Sequence, residues 1–368
     1  MKQLSQSSQP QALSLRDKEN PADHRPEFTT IYAYGSPTGS AYGELVFQPD
    51  GEIYGYGYGD DNLCAWIMAG SELCLLDQEG DIASRFRHIA EGIWQGRVEN
   101  QGFPLYLLPL LKTDAHSDAG EYRCSGFLVN SIPKSGTYFL EAALKEAGIP
   151  SLRLHLSGTN IIDDYRQLPD DEVHVNPKQC RVNFPVDLVT RLLKGRAVVG
   201  HIESPLMLDF IREQDICIFN LRRNLRDVLV SLYRFKYKKV KPCDEVDGYW
   251  REMSEQTRFI AFLMTYSACD IAHIKEIALM MLSDDESIPV KYEEMCSDSF
   301  SEEVKAKLNR LKPGFAQQLC AALMAQYGKK NPTFSGTRSN WQDYWSEDAE
   351  KYFVISGLKE INSQLGYE

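Results

Sequence analysis

The sequence predicts an α/β fold with a mostly parallel sheet that carries helices on both faces, preceded by a small β-rich domain. Three observations predict it. The first 27 residues are rich in Ser, Gln, Pro and charge; short alternating segments between turn formers follow; beyond about residue 120 strand patterns alternate with helix patterns. We therefore expect a disordered tail at 1–27, a β-rich domain at 28–115 and the α/β domain at 120–368.

The β-rich part is indicated by the segments GELVFQPDGEIYGYGYG, CAWIMAG and ELCLLDQEG, which Pro-Asp-Gly and Asp-Asn turns punctuate. Tyr and Gly alternate over residues 54–59, and such a run could be a glycine-rich phosphate loop. A two-residue period, however, places every tyrosine on one face of a strand, and a dinucleotide fingerprint would lie between a strand and a helix. We expect a strand whose tyrosine face packs or binds a partner.

The α/β part begins with the apolar run GFLVNSI (126–132) and the helix pattern TYFLEAALKEAG, which Gly148 and Pro150 end. Strands that alternate with helices are typical of a parallel sheet covered on both faces. The later patterns are the strand RAVVGHI (196–202), the strand ICIFNL (216–221) with the helix RDVLVSLYRFKY, a helical stretch at 249–282, the strand SIPVKYE and a closing helix at 346–365.

The formal net charge is −12. Binding to nucleic acid or to an anionic membrane needs a strongly basic face, so both are disfavoured, and an anionic ligand needs a local basic pocket. Nine cysteines without CxxC pairs or zinc-like spacing predict neither a disulfide framework nor a metal site. Because no signal-peptide core and no run of about 18 apolar residues is present, we expect a cytoplasmic protein without a membrane span.

The segment IPKSGTYF (132–139) lies where an apolar strand ends and a helix begins. A helix start presents unpaired N–H groups and the positive end of the helix dipole, which bind phosphate or sulfate oxygens. Gly136 permits close backbone approach, Ser135 and Thr137 add hydroxyl donors, and Lys134 adds a positive charge. An ordinary turn with a capping Ser or Thr would give the same pattern. The segment is not a Walker A loop, in which Lys follows the second Gly.

The segment LRRNLRDVLVSLY (221–233) also joins a strand to a helix. Arg223 can engage a phosphate through two hydrogen bonds, and Ser231, two turns into the helix, can add a hydroxyl to the same group. Asp227 can cap the helix or orient an Arg. An amphipathic helix with solvated charges is the alternative.

Together the two segments are specific, because PKSGT and RxxxDVxxSxY occur in this order about 90 residues apart. They resemble the 5′-phosphosulfate loop and the 3′-phosphate motif of the cytosolic and bacterial sulfotransferases that use 3′-phosphoadenosine 5′-phosphosulfate (PAPS). The resemblance covers residues 120–368. It implies a sulfotransferase domain with the P-loop NTPase-like sheet of that family, with PAPS as donor and adenosine 3′,5′-diphosphate (PAP) as product.

The resemblance also implies roles for single residues. Phe139 stands where cytosolic members carry a Trp stacked on adenine, and a Phe can still stack. Tyr138 replaces a common second Thr. The implied donor-site residues are Lys134, Ser135, Gly136, Thr137 and Tyr138 around the 5′-phosphosulfate, with Arg223 and Ser231 on the 3′-phosphate.

Near the C-terminus, FSGTRSNW (334–341) resembles the family's RKGxxGxW loop over the 3′-phosphate. Gly336 and Trp341 match, while Phe-Ser stands in place of the Arg-Lys pair, and Arg338 could supply the displaced charge. Between residues 222 and 241, eight basic residues gather against one acid. They form either a solvated helix end or a lid that attracts PAPS.

An acceptor hydroxyl needs a base, and His is best matched to proton removal near neutral pH. His201 ends the strand RAVVGHI at the carboxyl edge, where ligand sites lie in open α/β sheets, and it matches the family's catalytic His. Glu203 is a second candidate for base or orienter, whereas the other histidines, including His155, are expected to be structural. We expect His201 to take the acceptor proton while Lys134 stabilises the leaving PAP oxygen, without a metal.

The predicted function is sulfuryl transfer from PAPS to a hydroxyl, with an amine as second choice, of a small metabolite or carbohydrate. A nucleotide or metabolite kinase and a non-catalytic binding protein are the alternatives. The missing GK[ST] pair disfavours the kinase, and the joint presence of the predicted catalytic and phosphate-binding residues disfavours the binding protein. The β-rich domain could bind the acceptor, pack against the α/β core or build a homodimer, and the sequence leaves these options open.

Overall fold

The fold is described from a computed structural model. The described residues contain two β-sheets and eleven α-helices. They are residues 25–26, 31–36, 41–56, 63–90, 92–110, 122–157, 161–164, 181–183, 193, 195–240, 242, 245–297, 299–329 and 340–368. Most of the predicted tail at 1–27 therefore lies outside the description. So does the predicted domain boundary near 115–120, and the domain division stays a prediction.

The first sheet is antiparallel throughout, with the strand order β3-β2-β1-β8-β7-β6-β5-β4. Strand β3 contains the start of the alternating Tyr-Gly run, as the two-residue period predicts; residues 57–59 of the run lie outside the description. The strands are β1 (Ile31–Gly35), β2 (Ala41–Phe47), β3 (Ile53–Tyr56), β4 (Ala65–Ala69), β5 (Glu72–Leu76), β6 (Ile82–Ala90), β7 (Ile93–Val98) and β8 (Pro104–Leu110).

The second sheet has the strand order β12-β11-β10-β13-β9-β14-β15. The five strands from β10 to β15 in this order are parallel, and β11 and β12 add an antiparallel edge. The strands are β9 (Gly126–Ser131), β10 (Ser151–Leu156), β11 (Ile161–Asp164), β12 (Arg181–Asn183), β13 (Ala197–Gly200), β14 (Ile216–Arg222) and β15 (Ile288–Lys291). This topology confirms the predicted fold class.

Helices cover both faces of the parallel sheet. Successive strand residues alternate between two hydrophobic clusters, so that Leu128 packs with α3, α5 and α6 while Phe127 packs with α1, α8 and α9. The helices are α1 (Thr137–Glu146), α2 (Pro205–Glu213), α3 (Leu225–Lys239), α4 (Glu245–Glu252), α5 (Glu255–Thr265), α6 (Asp270–Ser283), α7 (Tyr292–Met295), α8 (Glu302–Leu311), α9 (Phe315–Gln326), α10 (Glu347–Ile355) and α11 (Leu358–Gln364).

Two long helices predicted from the sequence are broken in the structure. The stretch at 249–282 contains parts of α4, α5 and α6, and Ser254 stands at the N-cap of α5. The closing helix at 346–365 divides into α10 and α11 at Gly357, whose φ of 78° ends one helix and starts the next.

The antiparallel sheet packs against the α/β part. Its residues Ala33, Ile93, Tyr106 and Leu108 are buried in the same hydrophobic cluster as Leu128 of the parallel sheet. Its other side has a core of its own, built around Tyr32, Phe47, Phe86 and Trp94. Apolar surface on both sides of this sheet is therefore withdrawn from water. Among the described helices, none has the length and apolar character needed to cross a membrane.

Candidate active site

The site begins where β9 ends and the chain turns through residues 132–136 into α1. Lys134 and Gly136 both have left-handed backbone conformations, with φ of 71° and 97°. The N–H of Ser135 donates to the carbonyl of Ile132 at 3.1 Å, which closes the turn. Gly136 caps α1 without a side-chain hydrogen bond among the described residues, so the first N–H groups of α1 remain available to an anion.

The ring of Tyr292 leaves no room for a side chain at position 136. A Cβ atom at this position would lie 2.6 Å from Cδ2 of Tyr292, the first residue of α7. The guanidinium carbon of Arg223 stands 4.2 Å from the centroid of the same tyrosine ring. Tyr292 therefore packs between the turn at residues 132–136, called the anion loop below, and Arg223 of the second motif.

The two motifs meet through Arg223 and Lys134. Nη1 of Arg223 donates to the carbonyl of Lys134 at 3.4 Å, and Nη2 lies 3.8 Å from a carboxylate oxygen of Asp227. The Arg223 side chain is only 12% exposed. Its Nε atom and the Oγ atom of Ser135 are buried without a hydrogen-bond partner among the described residues. Buried donors of this kind are costly unless a ligand completes them, so an anion fits here.

The ammonium of Lys134 lies 3.8 Å from the ring centroid of Phe235 on α3. Burial, together with the nearby cations Arg223 and Lys236, lowers the pKa of Lys134 to about 7. Lys236 is itself paired with Asp270 at 3.0 Å. The loop therefore concentrates positive charge that an anionic ligand would stabilise.

The remaining predicted donor-site residues have different surroundings. Ser231 lies half-buried on α3, two turns from the helix start, and Phe139 packs against the cluster on the α1 side of the sheet. Gly336 and Arg338 lie outside the described residues. Trp341, which follows them, starts a 3₁₀ turn and lies 5.1 Å from the guanidinium carbon of Arg226.

Not every predicted basic residue of the second motif serves as a free charge. Arg226 is buried, and its guanidinium group binds both carboxylate oxygens of Glu350, at 3.1 and 3.2 Å from Nη2. The same group stands 4.5 Å from the ring centroid of Phe353. Arg226 thus fastens α10 to α3, which is a structural role.

His201 follows β13 at the carboxyl edge of the sheet, next to the end of β9. Its Nδ1 atom lies 2.7 Å from the carbonyl oxygen of Ser131, which can only accept, so Nδ1 carries the proton and the Nε2 lone pair is left for a substrate. Burial lowers the pKa of His201 well below its usual value, and the neighbours His155, His273 and Lys134 lower it further. The imidazole is therefore neutral near pH 7.

Asn130 fixes the segment that carries His201. Its side chain is buried and makes two hydrogen bonds with the backbone of Ile202: Nδ2 donates to the carbonyl at 3.1 Å, and Oδ1 accepts from the N–H at 2.8 Å. The paired bonds hold the chain after β13 against the end of β9. This role of Asn130 was not predicted from the sequence, although a polar residue within the apolar run GFLVNSI is a usable signal.

Two predicted phosphate-loop side chains are engaged elsewhere. The hydroxyls of Thr137 and Ser131 lie 2.7 Å apart, and the hydroxyl of Tyr138 lies 2.7 Å from Nδ1 of His155. His155, which the sequence analysis treated as structural, stands beside the predicted base, with 4.5 Å between the ring centroids of His155 and His201. The predicted role of Tyr138 in phosphate binding would have to come from its backbone.

Glu203, the second candidate for base or orienter, lies 3.9 Å from Nδ1 of His273 on α6. His273 in turn is close enough to His201 to lower its pKa. Glu203 is therefore near His273, and its role as base or orienter stays a prediction. In the described parts of the chain, no group of three or more His, Cys, Asp or Glu residues could hold a metal ion.

No protein-family model and no curated protein matches the chain. Among solved structures, mouse sulfotransferase SULT7A1 complexed with PAP is similar, with 13% identity, a TM-score of 0.41, and coverage of 73% of this chain and 97% of that one. Retinol dehydratase with androsterone and inactive cofactor PAP aligns at 18% identity and a TM-score of 0.36, covering 72% and 89% of the two chains. Retinol dehydratase in a complex with retinol and PAP aligns at 17% identity and a TM-score of 0.35, covering 74% of this chain and 96% of that one.

All three similar structures contain PAP, and the first is named a sulfotransferase, the class that the two motifs of this chain resemble.

Proposed function

We propose that this chain is a PAPS-dependent sulfotransferase that transfers a sulfuryl group to a hydroxyl of a small metabolite or carbohydrate. The supporting observation is that two buried donors near the open start of α1, Ser135 Oγ and Arg223 Nε, lack a hydrogen-bond partner among the described residues. A nucleotide with two separate anionic groups suits a site in which the two motifs touch but contribute different donors.

Each residue has a part in the proposed reaction. Ser135, the first-turn N–H groups of α1 and Lys134 hold the 5′-phosphosulfate, while Arg223 and Ser231 hold the 3′-phosphate. Because an anion stabilises the ammonium form, ligand binding raises the pKa of Lys134 from about 7 and charges the side chain fully. The charged ammonium then stabilises the negative oxygen that develops on the leaving side.

His201 acts as the base on the acceptor side. Its Nδ1–H is donated to the Ser131 carbonyl, so the proton of the acceptor hydroxyl goes to Nε2. PAPS supplies the sulfuryl group: its bond from sulfur to the phosphate oxygen breaks as the acceptor oxygen bonds to sulfur. The hydrogen bond to the Ser131 carbonyl stabilises the imidazolium that results and also holds the ring in place.

The test is isothermal titration calorimetry with PAP. Separate titrations with ATP and AMP serve as controls. We expect PAP to bind more tightly than either, and Lys134→Ala and Arg223→Ala each to weaken it roughly 10- to 150-fold, since a hydrogen bond to a charged group is worth about 1.5–3 kcal/mol. The matched controls are Lys145→Ala and Arg310→Ala, which remove exposed cations at the far ends of α1 and α8 and should leave binding unchanged.

Turnover is then sought as PAP released from PAPS in the presence of a panel of phenols, alcohols and sugars. A preference for ATP over PAP would favour the kinase instead. Tight PAP binding that neither Lys134→Ala nor Arg223→Ala weakens would contradict the proposed site.

A further inference from the structure

His155 and Tyr138 form a polar pair that the predicted mechanism leaves unused. His155 lies on β10, which runs parallel to β13, and its register partner there is Val199, two residues before His201. The imidazole of His155 on β10 therefore lies beside that of His201, directly after β13, with ring centroids 4.5 Å apart and planes at 68°. His155 is only 6% exposed, so the contact takes place out of water.

Tyr138 connects this pair to the anion loop. It is the second residue of α1, within the first turn whose N–H groups would hold the 5′-phosphosulfate, and its hydroxyl lies 2.7 Å from Nδ1 of His155. The position is one where the sequence departs from the sulfotransferase motif, which commonly has a small hydroxyl. A tyrosine extends that hydroxyl from the start of α1 to the far side of the site.

An acidic residue stands on the other flank of His155. Strands β10 and β11 are antiparallel, and Asp163 is the register partner of His155. Partners of this kind have Cβ atoms about 4.5–5.5 Å apart on one face of the sheet, and Asp163 is also buried. The groups around His155 are therefore Tyr138 from α1, Asp163 from β11 and His201 after β13.

We propose that His155 and Tyr138 are positioning residues for His201, which keep its ring in the orientation that donates Nδ1–H to Ser131 and make its protonation depend on His155. The inference rests on the proposed function, because it assigns these residues to the base of that reaction. It also accounts for the departure from the family motif at Tyr138, whose hydroxyl supports the base.

The charges around His201 make this dependence measurable. The groups that face it are His155 from β10, Lys134 from the anion loop and His273 from α6, and His273 is itself paired with Glu203. After burial, His155 lowers the pKa of His201 the most, and His273 and Lys134 have smaller effects. Two imidazoles in ring contact cannot both be charged at low cost, so a positive charge on His155 opposes protonation of His201.

The test is an NMR titration of the intact chain with ¹⁵N-labelled imidazole rings, in the absence of any nucleotide. In His155→Gln, we expect the midpoint of the His201 titration to rise by about half a pH unit or more, because a like charge has been removed. His273→Gln should raise it less. His88→Gln, in the antiparallel sheet, should leave it unchanged.

Tyr138→Phe keeps the ring volume and serves if His155→Gln does not fold. It removes the hydrogen bond on Nδ1 of His155, so the ¹⁵N shifts of both His155 and His201 should move. An unchanged His201 titration in a folded variant that lacks His155 or its tyrosine partner would overturn the inference. Because the titration needs neither donor nor acceptor, its failure is separate from a failure of PAP binding, which would overturn the proposed function.

Discussion

A hydrogen bond of 3.4 Å runs from Nη1 of Arg223 to the main-chain carbonyl of Lys134, two residues that lie 89 positions apart in the sequence. It joins the anion loop after β9 to the strand end of β14. Parallel neighbouring strands bring both ends to one edge of the sheet, and the bond fixes their spacing. The two motifs, which the sequence predicts to act together, therefore meet at this edge of the sheet.

Binding of PAP should be accompanied by proton uptake. The pKa of Lys134 is lowered to about 7 by burial and two nearby cations, so at pH 8 most of this side chain is neutral, and an anion restores its charge. We expect uptake approaching one proton at pH 8 and much less at pH 6, where the ammonium is already formed. The measurement is calorimetry in two buffers of different ionisation enthalpy. Equal uptake in Lys134→Met would show that another group takes up the proton.

Gly136→Ala should lower stability and PAP affinity more than Gly148→Ala, which places the same side chain in a similar backbone conformation. A Cβ at Gly136 would collide with Tyr292 at 2.6 Å, whereas Gly148, with a similar φ of 89°, has nothing within 4 Å. Both variants incur backbone strain of about 1–3 kcal/mol, and only the first also displaces the tyrosine. Urea unfolding and PAP titration give the comparison. An equal loss of stability and PAP affinity in the two variants would mean that the Tyr292 ring moves aside without destabilising the protein.

His201→Ala should abolish turnover while PAP still binds. A positioned base contributes roughly 10²- to 10⁴-fold, and the proposed reaction places the imidazole on the acceptor side. Because burial lowers the pKa of His201 well below 6.5, the neutral form persists as the pH falls, and protonation of the imidazole should limit the rate only at pH values well below 6.5. His88→Gln is the control. Full activity of His201→Ala would remove it from the mechanism.

Glu350→Gln should lower the free energy of unfolding at neutral pH. It should also reduce the change in that free energy between pH 7 and pH 3. The carboxylate is bound by Arg226, Trp345 and Lys359, and its pKa falls from 4.5 to about 2. A lowered folded-state pKa stabilises the fold above pH 4.5, and that contribution is lost as the pH falls from there towards 2. Urea unfolding at pH 7 and pH 3 tests this. Glu347→Gln, on an exposed carboxylate of the same helix, should change little.

The parts of the site that the sequence predicted are local ones. The loop at 132–139 and the strand end at Arg223 were recognisable because a short apolar strand, a turn and a helix follow one another directly in the chain. His201 could be placed at the same edge for that reason. Each of these inferences needs only the rule that parallel strands bring their carboxyl ends together.

The parts that were missed depend on which strands are neighbours. His155 became part of the site only because β10 lies next to β13, although the alternation of Leu152, Leu154 and Leu156 could have predicted β10 itself. The contact of Tyr292 with Gly136 likewise joins elements far apart in sequence. Helix breaks such as Gly357 were missed because apolar periodicity continues through them.

The hydrophobic cluster that Ala33, Ile93, Tyr106 and Leu108 share with the parallel sheet has a consequence for truncated forms of the chain. A gene fragment that begins at residue 122 would encode every described residue of the candidate site, yet its product would expose the apolar surface that these four side chains cover. Such a fragment should aggregate. Removal of the antiparallel sheet would therefore also uncover part of the core of the α/β part.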